Sequence, residues 1–185
     1  MGLGVGDYNL DGNLDIVKMH FRGDTPVLYL NDGKGNFQDR TLKAGLGVET
    51  RYVSWGAGIV DLDNDGHPDI FWVTGNIYPE VEKKFPQVAL KTPRVLFRNL
   101  GNAQFEQLME GAGPGVEELH SSRGCAFGDF DNDGDVDILI VNQNEPPSLL
   151  RNDLGGANHW LKLHLRGVKS NRSAIGARAT LRYGG

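Results

Sequence analysis

Five aspartates stand within nine residues at Asp129-Phe130-Asp131-Asn132-Asp133-Gly134-Asp135-Val136-Asp137. Carboxylates at alternate positions repel one another unless a cation lies between them, so this pattern points to a hard divalent ion surrounded by oxygens. Calcium suits such a set, because it takes roughly six to eight oxygen ligands in forgiving geometry, whereas magnesium keeps its waters and zinc seeks His or Cys. Asp129, Asp131, Asp133 and Asp137 are expected to offer side-chain oxygens and Asp135 its backbone carbonyl, with Gly134 permitting the sharp bend.

The pattern occurs twice more, as Asp61-Leu62-Asp63-Asn64-Asp65-Gly66-His67-Pro68-Asp69 and as Asp7-Tyr8-Asn9-Leu10-Asp11-Gly12-Asn13-Leu14-Asp15. One copy alone reads as a solvated Asx-type turn, since Asp and Asn bond their own backbone two residues on. Three copies, each with an acid or Asn at the first, third, fifth and ninth positions and Gly at the sixth, favour a metal. The expected side-chain ligands are Asp7, Asn9, Asp11 and Asp15 in loop 1, and Asp61, Asp63, Asp65 and Asp69 in loop 2. Asn13 and His67 take the carbonyl position held by Asp135 in loop 3. Up to three calcium ions follow, one per loop. An EF-hand would need Glu at the twelfth loop position, where this sequence has Lys18, Trp72 and Ile140. Calcium repeats of the β-helix type recur about every nine residues, whereas these loops open at residues 7, 61 and 129.

The elements around the loops repeat as well. A Gly-rich stretch precedes each loop (Met1–Gly6, Trp55–Val60, Arg123–Gly128) and an apolar strand follows it (Asp15–Met19, Asp69–Val73, Asp137–Val141). A third strand comes next, at Pro26–Asn31, Arg94–Asn99 and Ser148–Asn152. Asp32-Gly33-Lys34-Gly35 is a hairpin turn into Asn36–Asp39, and Gly101–Phe105 is its counterpart. The units are 54 and 68 residues long, counted from first Asp to first Asp, and four short strands fit each. That spacing predicts an all-β chain of β-propeller-type blades. Extra residues of the second unit fall between Gly75 and Pro93, where Tyr78, Pro79, Phe85 and Pro86 interrupt any strand, giving either a binding loop or a cover over the blade edge.

Composition agrees. Of 185 residues, 39% are hydrophobic, enough for a core, and the 26 glycines suit a turn-rich β chain. The formal net charge is −5, and twelve of the 24 acidic residues lie in the three loops, so the acidity is concentrated there. With no basic patch, nucleic acid is not an expected partner. The sequence has no membrane span and no signal peptide at its start. Cys125 is the only cysteine, which excludes an internal disulfide and a cysteine zinc site and leaves a small buried strand residue. Gly2, Gly4 and Gly6 precede an acidic loop and not a helix, so they are not a nucleotide loop. Arg22-Gly23-Asp24 reads as a surface turn, and the five histidines form no spaced metal set.

These residues resemble FG-GAP/VCBS repeats of the kind found in cartilage acidic protein homologues and ASPIC/UnbV proteins. A second signature, Asn158-His159-Trp160-Leu161 followed by Asn171-Arg172-Ser173-Ala174-Ile175-Gly176-Ala177, is similar to the opening of the ASPIC/UnbV module. The resemblance implies integrin-α-like blades with calcium between the first two strands. It divides the chain into repeats at 1–53, 54–121 and 122–157 and a partial ASPIC/UnbV β module at 158–185 that stops at Tyr183-Gly184-Gly185. Asn9 and Asn13 lower the charge of loop 1, so it is expected to be the weakest site. All three should bind in the range of roughly 0.1 to 1 mM typical of extracellular modules. Three blades do not close a ring, which typically needs about four to eight. Either a longer chain or a homo-oligomer through open blade edges is expected to protect them.

The functional expectation is a non-enzymatic, extracellular or periplasmic calcium-binding module with a structural, adhesive, or protein- or carbohydrate-ligand-binding role. The alternative is an accessory or enzymatic protein of UnbV type in secondary-metabolite biosynthesis. A concave pocket holding an acid–base pair away from the acidic loops would favour that alternative.

Overall fold

Each acidic loop turns the chain back between two short strands. In the computed structural model, which describes residues 1–154 and 158–182, an antiparallel sheet forms around each loop. The first sheet holds β1 (Leu3–Gly6), β2 (Asp15–Lys18), β3 (Val27–Asn31) and β4 (Phe37–Asp39) in sequential order. The second repeats this with β5 (Ser54–Val60), β6 (Asp69–Thr74), β7 (Val95–Asn99) and β8 (Phe105–Leu108). The third contains β9 (Ser122–Gly128), β10 (Asp137–Asn142) and β11 (Ser148–Leu150), so where the spacing predicts four strands, three are found among the described residues. Among the described residues, helix is limited to the single turns α1 (Val81–Lys84) and α2 (Pro114–Glu117) and a 3-10 turn at Leu46–Val48. No helix among the described residues is long and apolar enough to cross a membrane. Residues 158–182 form neither strand nor helix; position 157 and Tyr183–Gly185, where two predicted boundaries fall, lie outside the described residues.

The sheets stack through their first strands, β1 on β5 and β5 on β9, and glycine makes this close approach possible. A Cβ on Gly4 would lie 3.1 Å from the Cα of Gly58, and one on Gly56 would lie 2.8 Å from the backbone nitrogen of Cys125. The glycine stripe of each sheet therefore meets the backbone of the next. In the third sheet the stripe meets nothing, since a Cβ on Gly124 or Gly128 would have open space. Leu139, Val141 and Leu149 are exposed beside it.

Because the second sheet is sandwiched, β6 is buried on both faces and reads as a continuous apolar run instead of an alternating one. Ile70 and Trp72 join Tyr8, Val17, Met19, Leu28, Leu46, Phe97 and Phe105 in the core between the first and second sheets. Phe71 and Val73 join Leu62, Leu96, Ile138 and Ile140 in the core between the second and third. Trp72 stacks on Phe97 with centroids 5.1 Å apart, and Phe71 meets Phe127 edge-on at 6.1 Å. The second core is less completely filled: a cavity of about 350 Å³ lies beside Leu62, Val136, Leu150 and Leu154. In the first core, Phe105 of a fourth strand packs against Tyr8 at 5.8 Å, and the third sheet has no such strand among the described residues.

The insertion between Gly75 and Pro93 carries α1 and folds back on itself. The Asn76 side chain donates to the Ala89 carbonyl at 3.0 Å, Val88 is buried, and Thr92 pairs with His120 ahead of β9. Lys91 forms an ion pair with Glu145 of the third unit. These contacts make the segment a cover over the junction of two sheets, while Tyr78 and Phe85 remain exposed on it.

Candidate metal centres on the loop face

All three loops share one backbone. The sixth residue has φ of 86° at Gly12, 90° at Gly66 and 99° at Gly134, a region glycine enters without steric penalty. The fourth residue is also left-handed, with φ of 60° at Leu10, 56° at Asn64 and 63° at Asn132. Asn tolerates that conformation and Leu does not, so loop 1 is locally strained. Asx turns set the intervening residues. The third side chain accepts from the fifth amide (Asn9 from Asp11, Asp63 from Asp65, Asp131 from Asp133), and the fifth accepts from the seventh (Asp11 from Asn13, Asp65 from His67, Asp133 from Asp135).

The ninth carboxylate ties each loop to its own sheet. Asp15, Asp69 and Asp137 are buried. One oxygen of each accepts the amide of the second loop residue, Tyr8 at 3.3 Å, Leu62 at 3.1 Å and Phe130 at 2.8 Å. The other accepts the amide of Asn31 at 2.8 Å, Asn99 at 2.9 Å and Asn152 at 2.8 Å. Burial pushes the Asp69 carboxyl up to about 7, against amide donation from Asn99 and Leu62 and with help from the charges of Asp63 and Asp61. Burial raises Asp15 as well.

The three asparagines at the ends of the third strands are functional residues that attention to acidic spacing passes over. Asn31, Asn99 and Asn152 each donate to the carbonyl of the eighth loop residue, Leu14, Pro68 and Val136. Asn99 also donates to the Tyr8 carbonyl of loop 1 at 2.9 Å, and Asn152 to the Leu62 carbonyl of loop 2. Asn99 and Asn152 thus latch their own loops to the loop before, whereas Asn31 reaches no other loop. The sequence signal was present in the three strands ending in Asn.

The acidic oxygens gather differently in each loop. One oxygen each from Asp61, Asp63 and Asp65 lie within 4.8 Å of one another, as do oxygens from Asp129, Asp131 and Asp137. Among the described residues, the carboxylates Asp7, Asp11 and Asp15 form no such group. The Asp7 oxygens accept the amides of Asp11 and Gly12, at 3.0 and 2.7 Å, as Asp61 accepts those of Asp65 and Gly66 in loop 2. Asp133 lies outside the loop 3 group, and Asp69 outside that of loop 2. The seventh side chains point elsewhere: Asn13 lies over Gly33, His67 over Gly101, and Asp135 accepts from the Asn64 amide of loop 2 at 2.7 Å.

Crowding raises the carboxyl pKa at Asp61, where burial acts first and Asp65 and Asp63 add to it, and at Asp131, where burial is joined by Asp133 and Asp137. Asp129 is shifted the other way. Burial pulls it up, but Lys162 and the nearby backbone amides of Gly134 and Asn132 outweigh that and hold it below the usual range. Asp129 Oδ1 is nevertheless buried without a hydrogen bond that meets ordinary geometry. An all-oxygen donor set, closely grouped, mutually repelling and with one buried oxygen unpaired, fits a hard divalent cation.

Basic groups surround this face. Arg98 Nε is 3.3 Å from Asp63 Oδ2, and Lys162 Nζ is 3.1 Å from Asp129 Oδ2. The segment carrying Lys162 also sends Asn158 to the Asp63 carbonyl at 3.0 Å and Arg178 to the Gly12 carbonyl at 3.2 Å.

Residues 7–72, which span loop 1, loop 2 and the strands between them, match the FG-GAP-like repeat. Over that stretch the chain resembles the FG-GAP repeat proteins. It is 28% identical to cartilage acidic protein 1 of Xenopus tropicalis over 190 residues, 97% of this chain and 27% of that protein. Identity is also 28% to the proteins of that name from Homo sapiens and Mus musculus, each over 191 residues and 97% of this chain, covering 26% and 27% of theirs. The chain thus spans about a quarter of the length of these curated relatives. The three acidic loops are bridged to one another by Asn99 and Asn152.

Beyond the loops, His120 Nδ1 lies 2.6 Å from Glu145 Oε2 and its Nε2 lies 3.2 Å from Glu118 Oε2. This is an acid–base pair away from the acidic loops. Neither the 350 Å³ cavity nor a smaller one of about 90 Å³ near Arg94 and Met109 is lined by the pair.

Proposed function

We propose that the chain is a calcium-stabilised extracellular FG-GAP module with a structural, adhesive or ligand-presenting role and no chemistry of its own. The single observation that supports this reading best is loop 3, where the oxygens of Asp129, Asp131 and Asp137 lie within 4.8 Å of one another and Asp129 Oδ1 is buried and unpaired. Asp61, Asp63 and Asp65 would hold an ion in loop 2 in the same way. Bound calcium supplies positive charge that neutralises the carboxylates and fixes each turn. The ninth aspartates and the latching asparagines then transmit that rigidity to the sheets. Thermal melting in millimolar calcium against chelator tests the reading. A rise of several degrees is expected, and an unchanged melting temperature would sink it.

The open glycine stripe of the third sheet favours a second role, as an assembly surface. Gly4 and Gly56 are covered by the next sheet, whereas Gly124 and Gly128 are not, and exposed Leu139 and Val141 flank them. The surface suits another blade of the same kind, supplied by a second copy or by further chain. Light scattering tests the first case. Self-association that Val141→Glu abolishes is expected, and a strict monomer at all concentrations would count against it.

A further inference from the structure

Residues 158–182 form no strand or helix, yet they touch all three acidic loops. Asn158 donates to loop 2 at the Asp63 carbonyl, and Arg178 donates to loop 1 at the Gly12 carbonyl. The Trp160 indole covers Gly134 of loop 3 so closely that a Cβ there would clash with it. Lys162 Nζ sits 3.1 Å from Asp129 Oδ2 and 3.0 Å from Asn132 Oδ1. The segment is a strap laid across the loop face, and its ammonium group lies on one of the three carboxylates grouped in loop 3.

We infer that this strap is the resident counter-ion of loop 3, and that calcium entering among Asp129, Asp131 and Asp137 displaces Lys162 and lifts Trp160 off Gly134. The inference rests on the calcium reading above. Its physical basis is that an ammonium and a divalent ion on the same carboxylate leave excess positive charge there, and two cations a few ångströms apart repel. Lys162 is half exposed, so its hold is modest and reversible, as a displaceable group requires. Arg151 also lies within the field of Asp131 and Asp133 but belongs to the sheet, pairs with Asp153 at 2.7 Å, and does not move with the strap. Because coupling is reciprocal, whatever calcium does to the strap, the strap does to calcium affinity. The strap therefore raises the calcium concentration at which loop 3 fills, and its release uncovers Gly134.

The test uses the full chain, titrated with calcium chloride by calorimetry and by tryptophan emission. Asp131→Asn marks the heat that belongs to loop 3, and Trp160→Phe separates Trp160 emission from that of Trp55 and Trp72. Lys162→Met is expected to tighten the loop 3 site by about 3- to 10-fold and to red-shift Trp160 emission before any calcium is added, while Lys162→Arg behaves as the parent. In the parent, calcium itself should produce the red shift. Equal calcium affinity in parent and Lys162→Met, or calcium heat without a change in Trp160 emission, would overturn the strap and leave the calcium reading standing. Absence of calcium heat from every variant would overturn both.

Discussion

The latch formed by Asn99 gives the sharpest test of how the sheets are held together. Its side chain is buried, donates to the Tyr8 carbonyl of loop 1 and the Pro68 carbonyl of loop 2, both at 2.9 Å, and accepts the Gly101 amide at 3.0 Å. Asn99→Ala removes all three bonds and strands backbone groups that water reaches poorly. At roughly 1 to 1.5 kcal/mol for each such bond, the loss is about 3 to 4 kcal/mol. Asn31 occupies the same place in the first sheet but keeps only its bonds to Leu14 and Gly33, both near solvent, and reaches no other loop. Asn31→Ala should cost about 1 kcal/mol. For a chain of this size the two substitutions should lower the melting temperature by about 8 to 12 °C and by about 3 °C. Urea denaturation of metal-free protein measures both without interference from calcium. If the two variants lay within about 0.5 kcal/mol of each other, the inter-loop bond would not carry the stability assigned to it.

Four further outcomes follow. Gly56→Ala forces a Cβ to 2.8 Å from the Cys125 backbone and should cost about 2 kcal/mol or more in urea melts, whereas Gly124→Ala, which faces open space, should change stability by less than about 0.5 kcal/mol. Leu10→Asn relieves a left-handed leucine that is 54% exposed and packs little, so it should stabilise the chain by about 1 kcal/mol; Asn64→Leu should do the reverse. Burial pushes the Cys125 thiol up to about 12, so a thiol reagent should react slowly at neutral pH and faster as alkali raises the thiolate fraction; rapid labelling of the folded chain at pH 7 would contradict this. The Asp69 carboxyl, raised to about 7 from 3.8, binds its proton more tightly folded than unfolded. Its contribution to metal-free stability is therefore full below about pH 4 and is lost as the pH rises to about 7, and Asp69→Asn should flatten that fall in urea melts.

The acidic loops and the order of strands around them were legible without coordinates. The alternation of acid and spacer, the glycine at the sixth position and the apolar run after the ninth are local rules, and backbone conformation obeys them locally. The strand ranges expected from pattern match those observed to within a residue or two at ten places. Phe105 departs from this, because it opens β8 instead of closing a strand that begins at Gly101. Gly101 with φ of 78° and Ala103 with φ of 60° are left-handed, so the residues before Phe105 turn instead of extending.

What the sequence by itself determined is the position of the acidic residues, the repeat and the all-β character, since these depend on residue type and short spacing. Only the tertiary structure decided how the donors group. Asp65 joins the cluster of loop 2 while its equivalent Asp133 does not, and Asp137 joins that of loop 3 while Asp69 does not. The members of each pair accept equivalent backbone amides, so the local turn does not set the grouping and the packing around each loop does. The asparagine latches, the uncovered glycines of β9 and the strap over Gly134 bring together residues as far apart as Gly12 and Arg178. Such contacts are set by how sheets stack, and no short window of sequence contains both partners.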